Sequence, residues 1–513
     1  MVTIGGKRLD VEHFENVIFS GSTIQLNAEA LDKVKAQFDF LLTYSKDKVI
    51  YGINTGLGPM AQVKVEYQDQ IQLQLNLIRS HASGSGQPLA PLLSRATMLA
   101  RLNSLMIGAS GVHPDTVELV KELLNRNISS LIFERGGVGA SGDLVQLAHL
   151  ALNLLGEGEV LVKGDCVAAS EVFAEEKITP MSIHIREGLA LMNGTSAMTG
   201  IGMVNLIYAK KIFYLSLILS SITNEIMKSF DDHFSKELND VKRHKGQTRV
   251  AALMREYLQG SKLIRKRADH LYNTKAEGMV FTDKVQEYYS LRCVPQVLGP
   301  VMDTLEQTEK ILVDELNSVS DNPIIDEEGL QVHHGGNFHG DYVSLEMDKL
   351  KIVVTRVAML AERQLNYLVN DKLNQKLPPF INLGKLGLNF GMQGLQFTAT
   401  STTAENQTLA YPMYLHSIPN NNDNQDIVSM GCNAALIAHR VVDNTFVVLA
   451  IQAIGLAQAI EHLDCKDSLS PVSKAFIDRI RRMVPKFIDD TPKYKDIEKI
   501  KGNFMLMKTP KIF

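Results

Sequence analysis

Hydrophobic positions along the chain recur mostly at the spacing of an α-helix. Apolar side chains return every three or four residues over residues 90–106, 114–125, 144–155, 196–230, 299–318, 344–370 and 427–463. Several of these segments exceed 25 residues. Helices that long, and apolar over much of their surface, usually pack in a bundle or bury one another across subunits. The pattern therefore predicts a mainly α protein and favours an oligomer.

Stretches typical of β-strands are few and short. They cover residues 2–4, 158–167 and 323–332. No Pro/Ser-rich linker, low-complexity block or repeat divides the chain, although glycines and polar residues cluster in MNGTSAMTG, around residue 196. We expect a smaller, loop-rich N-terminal region over residues 1–195 and a long-helix bundle region over residues 196–513, joined in one continuous domain.

Composition and charge exclude several classes of partner. The 513 residues are 45% hydrophobic and 21% charged, which is enough apolar material for a large core. A net charge of -4, without a run of five basic residues, gives no reason to expect nucleic acid. The N-terminus lacks the layout of a signal or transit peptide, and the uncharged residues 444–460 fall short of the ~20 apolar residues of a spanning helix. We expect a cytoplasmic protein that does not contact a membrane.

Metal and nucleotide sites are not indicated either. The cysteines form no Cys-x-x-Cys pair, which speaks against a zinc site or a disulfide framework; they are Cys166, Cys293, Cys432 and Cys465. HHGGNFHGD brings three histidines and an aspartate together, but without the helical His-x-x-x-His spacing of a metal site. A Walker A sequence is missing, and so is a Gly-x-Gly-x-x-Gly that follows a strand. We expect neither a metal nor a nucleotide cofactor.

Candidate chemistry lies in four polar segments rich in glycine, proline or asparagine, the kind of loop that presents functional groups. They are YGINTGLGP, GGVGASGD, YYSLRCVPQ and PNNNDNQDIVSMG. Each also has an ordinary structural interpretation. The glycines of GGVGASGDLVQLAHL can form a turn with Ser141 or Asp143 as the helix N-cap, and Arg292 can form a structural ion pair. Taken singly, none of the segments identifies a function.

Taken together, the segments resemble one family. GGVGASGDLVQLAHL, YGINTGLGP, MNGTS, QEYYSLRCVPQ, SDNP and GGNFHGD occur in the order and approximate spacing of the aromatic amino acid and histidine ammonia-lyases, over about residues 10–480. The resemblance implies a long-helix bundle of the ammonia-lyase type, with the prosthetic group carried by the N-terminal region. It also implies a homotetramer whose composite active sites each draw on three chains.

The resemblance gives the tripeptide Ala140-Ser141-Gly142 a role. In this family the glycine nitrogen attacks the alanine carbonyl, and loss of two waters leaves a 4-methylidene-imidazol-5-one whose exocyclic carbon was the serine side chain. Glycine offers an unhindered nitrogen and tolerates strained dihedrals, alanine does not crowd the carbonyl, and serine supplies the hydroxyl that leaves. The ring is an electrophile that takes up either the substrate amine or its aromatic ring, and the sequence does not choose between them.

Further site residues follow from the resemblance alone. Tyr51 corresponds to the base that removes the β-proton, and because tyrosine has a pKa of about 10 it needs a nearby cation or helix terminus to act near neutrality. Arg292 corresponds to the clamp on the substrate carboxylate, for which its planar fork is suited. The other positions are the polar neighbours Asn193 and Gln286, Tyr289 near the prosthetic ring and Phe338 as an aromatic wall.

Two places bear on the substrate. Asn424-Gln425-Asp426 stands where histidine enzymes usually have Gln-Glu-Asp, whose glutamate pairs with imidazole, and neutral Gln425 fits a phenyl or phenol ring better. Ser80-His81 matches histidine enzymes and some bacterial tyrosine enzymes, whereas phenylalanine enzymes commonly carry Phe-Leu. His81 can hydrogen-bond a phenol hydroxyl, and the small Ser80 leaves room for it. Together the two places favour tyrosine.

The resemblance is strongest to tyrosine ammonia-lyases of the Bacteroidetes type, which eliminate ammonia from L-tyrosine to give trans-p-coumarate. The alternatives are a histidine ammonia-lyase that forms urocanate, a phenylalanine ammonia-lyase and an aromatic aminomutase, which returns ammonia to the β-carbon. A lyase of the fumarase and argininosuccinate group is disfavoured, because its Gly-Ser-Ser-x-Met-Pro-x-Lys-x-Asn loop is absent. A helical scaffold without an electrophile is the non-enzymatic alternative.

Overall fold

Helices make up most of the protein. Its computed structural model describes residues 1–273, 279–281, 284–508, 510 and 512. The mainly α prediction is confirmed. In chain order the helices are α1 Val11–Ile18, α2 Ala28–Tyr44, α3 Gln70–His81, α4 Pro91–Leu105, α5 Pro114–Asn125, α6 Leu144–Leu154, α7 Ala169–Glu176, α8 Glu187–Met192, α9 Ser196–Ile226, α10 Lys236–Asp240, α11 Lys245–Tyr257, α12 Tyr289–Arg292, α13 Val294–Leu316, α14 Asp341–Val369, α15 Asp371–Asn374, α16 Gln393–Leu409, α17 Gly431–Leu463, α18 Pro471–Met483 and α19 Tyr494–Leu506.

The strands are three or four residues long and form small separate sheets. They are β1 Val2–Ile4, β2 Ile24–Leu26, β3 Ser85–Pro88, β4 Ile128–Ser130, β5 Phe133–Arg135, β6 Glu159–Val162, β7 Asp165–Ala168, β8 Ile324–Asp326 and β9 Gln331–His333. β1 pairs with β2 in parallel, while the antiparallel sheets are β3-β5, β4-β6-β7 and β8-β9. The stretches 158–167 and 323–332, expected to be strand-like, are each a hairpin, β6-β7 and β8-β9.

Two compact units are formed from segments that lie far apart in sequence. Unit 1 consists of residues 1–207, 308–348 and 412–439, and unit 2 of residues 208–307, 349–411 and 440–513. Both units therefore contain parts of the middle and of the C-terminal half of the chain. The division at residue 195 expected from the sequence stays a prediction.

Three helices of unit 1 pack on one another and thereby position the candidate site. They are α3, α6 and α8. Each has a candidate site segment directly at one of its ends: α3 ends with His81, α6 follows the Ala140-Ser141-Gly142 tripeptide, and Asn193 follows α8. The inner sides of these helices are apolar and buried, for example Ile78, Leu147 and Leu191. Burial of this kind fixes the helices relative to one another and with them the segments at their ends.

All the segments predicted to be helical are helices, and two of them resemble membrane-spanning helices in length and composition. By length and composition, α9 and α17 are long and apolar enough to cross a membrane. However, 89% of the most apolar 18-residue stretch of α9 and 78% of that of α17 are buried inside the protein. Helices that are apolar on all sides are expected in the core of a large protein. The cytoplasmic location stays a prediction.

Candidate active site

The main chain that leads into Ala140 is anchored to the loop before α17. The Met430 N–H donates to the Val138 carbonyl at 3.1 Å, and the Ser429 N–H to the Gly139 carbonyl at 3.4 Å. The Ala140 side chain is buried and packs against Met430. Gly139 has a φ of 72°, and a Cβ there would lie 2.2 Å from the Ser429 hydroxyl oxygen. The close approach of the two loops therefore requires a glycine at this position.

The main chain that leaves Ser141 is anchored to the segment after α8. The Asp143 N–H donates to the Gly194 carbonyl at 2.7 Å, and the Gly194 N–H donates to the Ser141 carbonyl at 3.3 Å. Gly142 has a φ of 75°, and a Cβ on it would lie 2.0 Å from the Gly194 carbonyl oxygen. Any other residue at 142 would push these segments apart, so the glycine that the sequence singles out for its nitrogen is also required by the packing.

Ser141 has hydrogen-bond donors at both of its reactive groups. The Asn193 side-chain amide donates to the Ser141 carbonyl oxygen at 2.9 Å, and the Gln425 amide donates to the Ser141 hydroxyl oxygen at 3.0 Å. Asn193 and Gln425 were both expected at the site from the sequence, and they lie at the tripeptide. A buried alanine, a serine with donors on its carbonyl, and a glycine without room for a Cβ fit a prosthetic group formed from residues 140–142.

Asp143 does not have the capping role that the sequence suggested for it. It precedes α6, yet its side chain makes no capping bond to that helix. Instead, one carboxyl oxygen accepts the Met198 N–H at 2.8 Å, in the first turn of α9. The residue is fully buried, and this burial raises the pKa of its carboxyl to about 7, although N–H donors from Met198 and Ala197 act against the rise. Asp143 thus ties the tripeptide to the start of the long helix α9.

Tyr51 lies in a turn that several side chains hold. The Gly58 N–H donates to the Tyr51 phenol oxygen at 3.0 Å, the Tyr51 N–H donates to His334 Nε2 at 3.3 Å, and the Gln74 amide donates to the Gly52 carbonyl at 2.9 Å. The sequence predicted a cation or a helix terminus beside the phenol. The donor found on the phenol oxygen is the N–H of Gly58, which begins the short 3-10 helix Gly58–Met60. This N–H can also donate to the oxygen of a phenolate.

Nδ1 of His81 makes two contacts at the end of α3. It lies 2.9 Å from the Leu77 carbonyl oxygen and 2.9 Å from the Ser80 hydroxyl oxygen. Since a carbonyl oxygen can only accept, we assign the hydrogen to Nδ1, which then donates it to Leu77. In the neutral ring, Nε2 is then left with a lone pair. His81 therefore offers a hydrogen-bond acceptor, as a phenol O–H group requires.

The remaining candidates of unit 1 are less constrained. Phe338 is half-buried in the loop before α14, and Asn424 is exposed. The histidines of HHGGNFHGD have separate partners: His333 faces Asp326 at 3.4 Å, and His339 faces Asp341 at 3.6 Å. Within the described residues, no three His, Cys, Asp or Glu side chains are grouped so as to hold a metal ion.

The other three site candidates belong to unit 2. Gln286, Tyr289 and Arg292 lie in or just before α12, where the Tyr289 side chain is 70% exposed. The Arg292 guanidinium carbon lies 4.8 Å from the centre of the Tyr289 ring. Arg292 is half-buried, lines a cavity of about 610 Å³ together with Gln286, and forms no ion pair with any described residue. Among the described residues, the structural ion pair considered for Arg292 is therefore not formed.

Sequence reasoning missed one buried residue that contacts Asn193. Arg101 is completely buried in α4, and its guanidinium donates to the Asn193 carbonyl at 2.9 Å. An arginine inside an otherwise apolar run, MLARL, is unusual enough to have been noticed. What the sequence does not contain is the identity of its partner, 92 residues further along the chain.

Comparisons with known proteins identify the family of the chain. The family model for aromatic amino acid lyases matches residues 9–482. The chain is 39% identical to tyrosine 2,3-aminomutase of Chondromyces crocatus, covering 97% of this chain and 95% of that protein. It is 38% identical to histidine ammonia-lyase of Shouchella clausii, covering 97% of both.

The fold shows the same relationship. The crystal structure of tyrosine aminomutase from Streptomyces globisporus matches with a TM-score of 0.94 and 37% identity, over 98% of this chain and 96% of that one. These matches confirm the resemblance on which the sequence interpretation rests. The chain belongs to the aromatic amino acid lyase family, whose members carry out ammonia-lyase and aminomutase chemistry on aromatic amino acids.

Proposed function

We propose that this protein eliminates ammonia from L-tyrosine to give trans-p-coumarate, using an electrophile formed from Ala140-Ser141-Gly142. The family supports the type of reaction, and the choice of tyrosine is our inference. The observation that carries this choice is the contact of His81 Nδ1 with the Leu77 carbonyl oxygen. Because the Nδ1 hydrogen is donated to the Leu77 carbonyl, Nε2 can accept the hydrogen of a phenol hydroxyl.

The amide of Gln425 supports an uncharged aromatic ring. A carboxylate at this position would suit the imidazole of histidine, whereas a neutral amide does not leave a charge unpaired beside a phenol ring. In this chain the Gln425 amide is already directed at the Ser141 hydroxyl oxygen. The resemblance to the Bacteroidetes-type enzymes points to the same substrate and stays a prediction.

Different residues of the chain carry out different parts of the proposed reaction. Once formed, the methylidene-imidazolone supplies the electrophile that makes the loss of ammonia possible. Tyr51 accepts the β-proton on its phenol oxygen, and the Gly58 N–H stabilises that oxygen when it is negatively charged. Arg292 binds the substrate carboxylate through two parallel N–H groups and so orients the α- and β-carbons. Tyr289 packs beside Arg292.

We further propose a homotetramer in which one site takes residues from different chains. The resemblance to the ammonia-lyases, in which each site draws on three chains, supports this arrangement. Large apolar side chains are exposed in both units, among them Leu388, Phe390, Phe397, Ile418 and Ile427. Apolar surface of this kind is typical of a buried interface.

Subunit mixing tests this arrangement. Chains with Ser141→Ala and chains with Arg292→Ala are each expected to be inactive. After dissociation and reassembly together, some sites combine an intact tripeptide from one chain with an intact arginine from another, and part of the activity should return. If subunit exchange is confirmed but no activity returns, the composite site is wrong.

A tyrosine aminomutase is the second candidate. It is favoured by the likeness to tyrosine 2,3-aminomutase of Chondromyces crocatus and to the tyrosine aminomutase of Streptomyces globisporus. Such an enzyme would use the same residues to remove ammonia and would then return it to the β-carbon. The two functions therefore differ in the fate of the product before it leaves the site, and not in the recognition of tyrosine.

The decisive experiment offers tyrosine, phenylalanine and histidine separately to the purified protein. Unsaturated products are followed by ultraviolet absorbance, and β-amino acids by chromatography of the same samples. We expect p-coumarate from tyrosine with the highest kcat/KM. β-Tyrosine as the main product would replace the lyase by the aminomutase, and urocanate from histidine would overturn the choice of tyrosine.

A further inference from the structure

Arg101 is a charged side chain at the centre of unit 1 that substrate chemistry does not use. It lies in α4 and has no exposed surface. One nitrogen of its guanidinium donates to the carbonyl oxygens of Ala190 and of Asn193, the latter at 2.9 Å. These carbonyls lie at the C-terminal end of α8, where a cation is also favoured by the helix dipole.

One peptide group connects this cation to Ser141. The carbonyl that accepts from Arg101 belongs to Asn193, and the N–H of the same peptide group belongs to Gly194. That N–H donates to the Ser141 carbonyl oxygen at 3.3 Å, alongside the Asn193 side chain at 2.9 Å. A peptide whose carbonyl is bound by a cation becomes a stronger donor at its N–H, because hydrogen bonds in a chain polarise one another.

Arg101 carries its charge in a buried environment. Burial lowers its pKa to about 10, so that the guanidinium is still charged at neutral pH. The carboxyl groups of Asp321 and Asp143 and the guanidinium of Arg186 also act on it. Two of its nitrogens, Nε and Nη1, have no hydrogen-bond partner in the part of the chain that the structure describes. Among the described residues, its hydrogen bonds go to the peptide carbonyls of Ala190 and Asn193, and the cation polarises these directly.

We propose that Arg101 is a positioning and polarising residue for maturation: acting through the Asn193–Gly194 peptide, it draws electron density toward the Ser141 carbonyl oxygen and promotes the dehydration of Ser141. The inference rests on the proposed prosthetic group. In this step the Cα–H bond of Ser141 breaks, its electron pair forms the Cα–Cβ double bond, and the Cβ–Oγ bond breaks. The proton and the hydroxyl leave together as water.

The role of the carbonyl in this step explains why a remote cation matters. As the Cα–H bond breaks, electron density accumulates on the adjacent carbonyl oxygen. Donors fixed at that oxygen beforehand stabilise the charge as it develops, which lowers the barrier of the step. The Ser141 carbonyl has two such donors, from Asn193 and Gly194, and Arg101 contacts the peptide that provides the second.

The test follows maturation and not turnover. Intact mass spectrometry after a pulse of labelled synthesis measures the fraction of chains that have lost two waters, and the ultraviolet absorbance of the group is read on the same samples. Arg101→Met is expected to slow the loss of water about 10-fold or more. Arg101→Lys, which keeps a charge, should mature faster than the neutral Arg101→Gln.

Arg186 provides a matched control. It is equally buried in unit 1, but its guanidinium donates to the carbonyls of Ser110 and Pro323 and pairs with Asp321. Arg186→Met should lower the melting temperature at least as much as Arg101→Met while the protein that folds matures at the wild-type rate.

Three outcomes would overturn the inference. These are maturation of Arg101→Met at the wild-type rate, equal delays in the two methionine variants, and maturation of Arg101→Gln as fast as Arg101→Lys. The last comparison decides the matter even if Arg101→Met does not fold. A wild-type protein that never loses two waters would instead refute the prosthetic group itself, whatever Arg101 does.

Discussion

The surroundings of Ser141 in unit 1 and of Arg292 in unit 2 are prepared in opposite ways. Ser141 has a donor on its hydroxyl and two on its carbonyl, and the chain on either side is held by main-chain hydrogen bonds. The Arg292 guanidinium lies beside the ring of Tyr289, which is largely exposed, and it forms no ion pair with a described residue.

The difference follows from what each region has to do. A reaction within the chain needs its atoms held in place before any ligand arrives, because orientation supplies much of the rate. A binding group must instead keep its hydrogen-bonding capacity free for the substrate, since a partner within the protein would compete with it. The protein thus requires both a prepared region, around Ser141, and an open region, around Arg292, and substitutions can test each.

The largest expected effect comes from Ser141→Ala, which removes the prepared region's reactive hydroxyl. Without a β-hydroxyl no methylidene carbon can form, so turnover should be lost completely while the fold is retained. Intact mass should show no loss of two waters, and circular dichroism should match the wild type. Ser80→Ala, which leaves the tripeptide intact, should still show the mass loss. Wild-type activity in Ser141→Ala would refute the proposed electrophile.

Arg292→Lys tests the open region. A lysine keeps the charge but cannot reproduce the planar fork that binds two carboxylate oxygens, so we expect KM for tyrosine to rise about 10-fold or more. Steady-state kinetics on tyrosine checks this. Arg482→Lys, an exposed arginine in the last turn of α18, should leave KM unchanged. If both variants bind tyrosine like the wild type, Arg292 has no part in the site.

His81→Phe sharpens the comparison by asking what the site recognises. The substitution removes the acceptor for the phenol hydroxyl, and a buried hydroxyl without a partner costs roughly 1 to 3 kcal/mol. The ratio of kcat/KM for tyrosine over phenylalanine should therefore fall about 5- to 150-fold. A ratio that stays the same would make the choice of tyrosine wrong while leaving the ammonia-lyase chemistry intact.

Asp143→Asn has the smallest expected effect on turnover and tests how the prepared region is anchored. Because the pKa of Asp143 is raised to about 7 in the folded protein, the folded state binds more protons than the unfolded state between about pH 4 and 7. The contribution of Asp143 to the free energy of unfolding should then fall as pH rises through this range, by at most ~1.4 kcal/mol for each pH unit.

Asparagine keeps an acceptor for the Met198 N–H but does not titrate. In denaturant titrations, the stability of Asp143→Asn relative to the wild type should therefore increase from about pH 4 to 7 and stay constant above that. A difference that does not change with pH would show that Asp143 keeps its ordinary acidity in the folded protein.

The long helices could be predicted closely because their signal is local. The expected segment 114–125 coincides with α5, and 90–106 exceeds α4 by one residue at each end. Strands β2, β4 and β5 were not predicted, since each has only three residues and depends on a partner strand elsewhere in the chain. Three residues contain too little alternation to identify a strand.

The part of the candidate site that lies in glycine-rich loops could also be predicted, because the motifs of these loops resemble those of the family. Asn193 and Gln425 were expected near the tripeptide and contact Ser141. The bond from Arg101 to Asn193 and the bond from Met198 to Asp143, over 92 and 55 positions, could not be predicted, because the family resemblance assigned no partner to Arg101 or Asp143. Such contacts depend on how the intervening helices pack.

The start of α17 shows the difference between what the sequence determines and what the tertiary structure determines. The sequence by itself determined a long apolar helix over residues 427–463, because every hydrogen bond of a helix joins residues four apart and its pattern is visible locally. Only the tertiary structure decided that this helix begins at Gly431. Met430 has a φ of 51°, outside the right-handed helical range. Its N–H donates to the Val138 carbonyl and the Ser429 N–H donates to the Gly139 carbonyl, because a buried N–H bonds to whichever acceptor the folded chain brings to it.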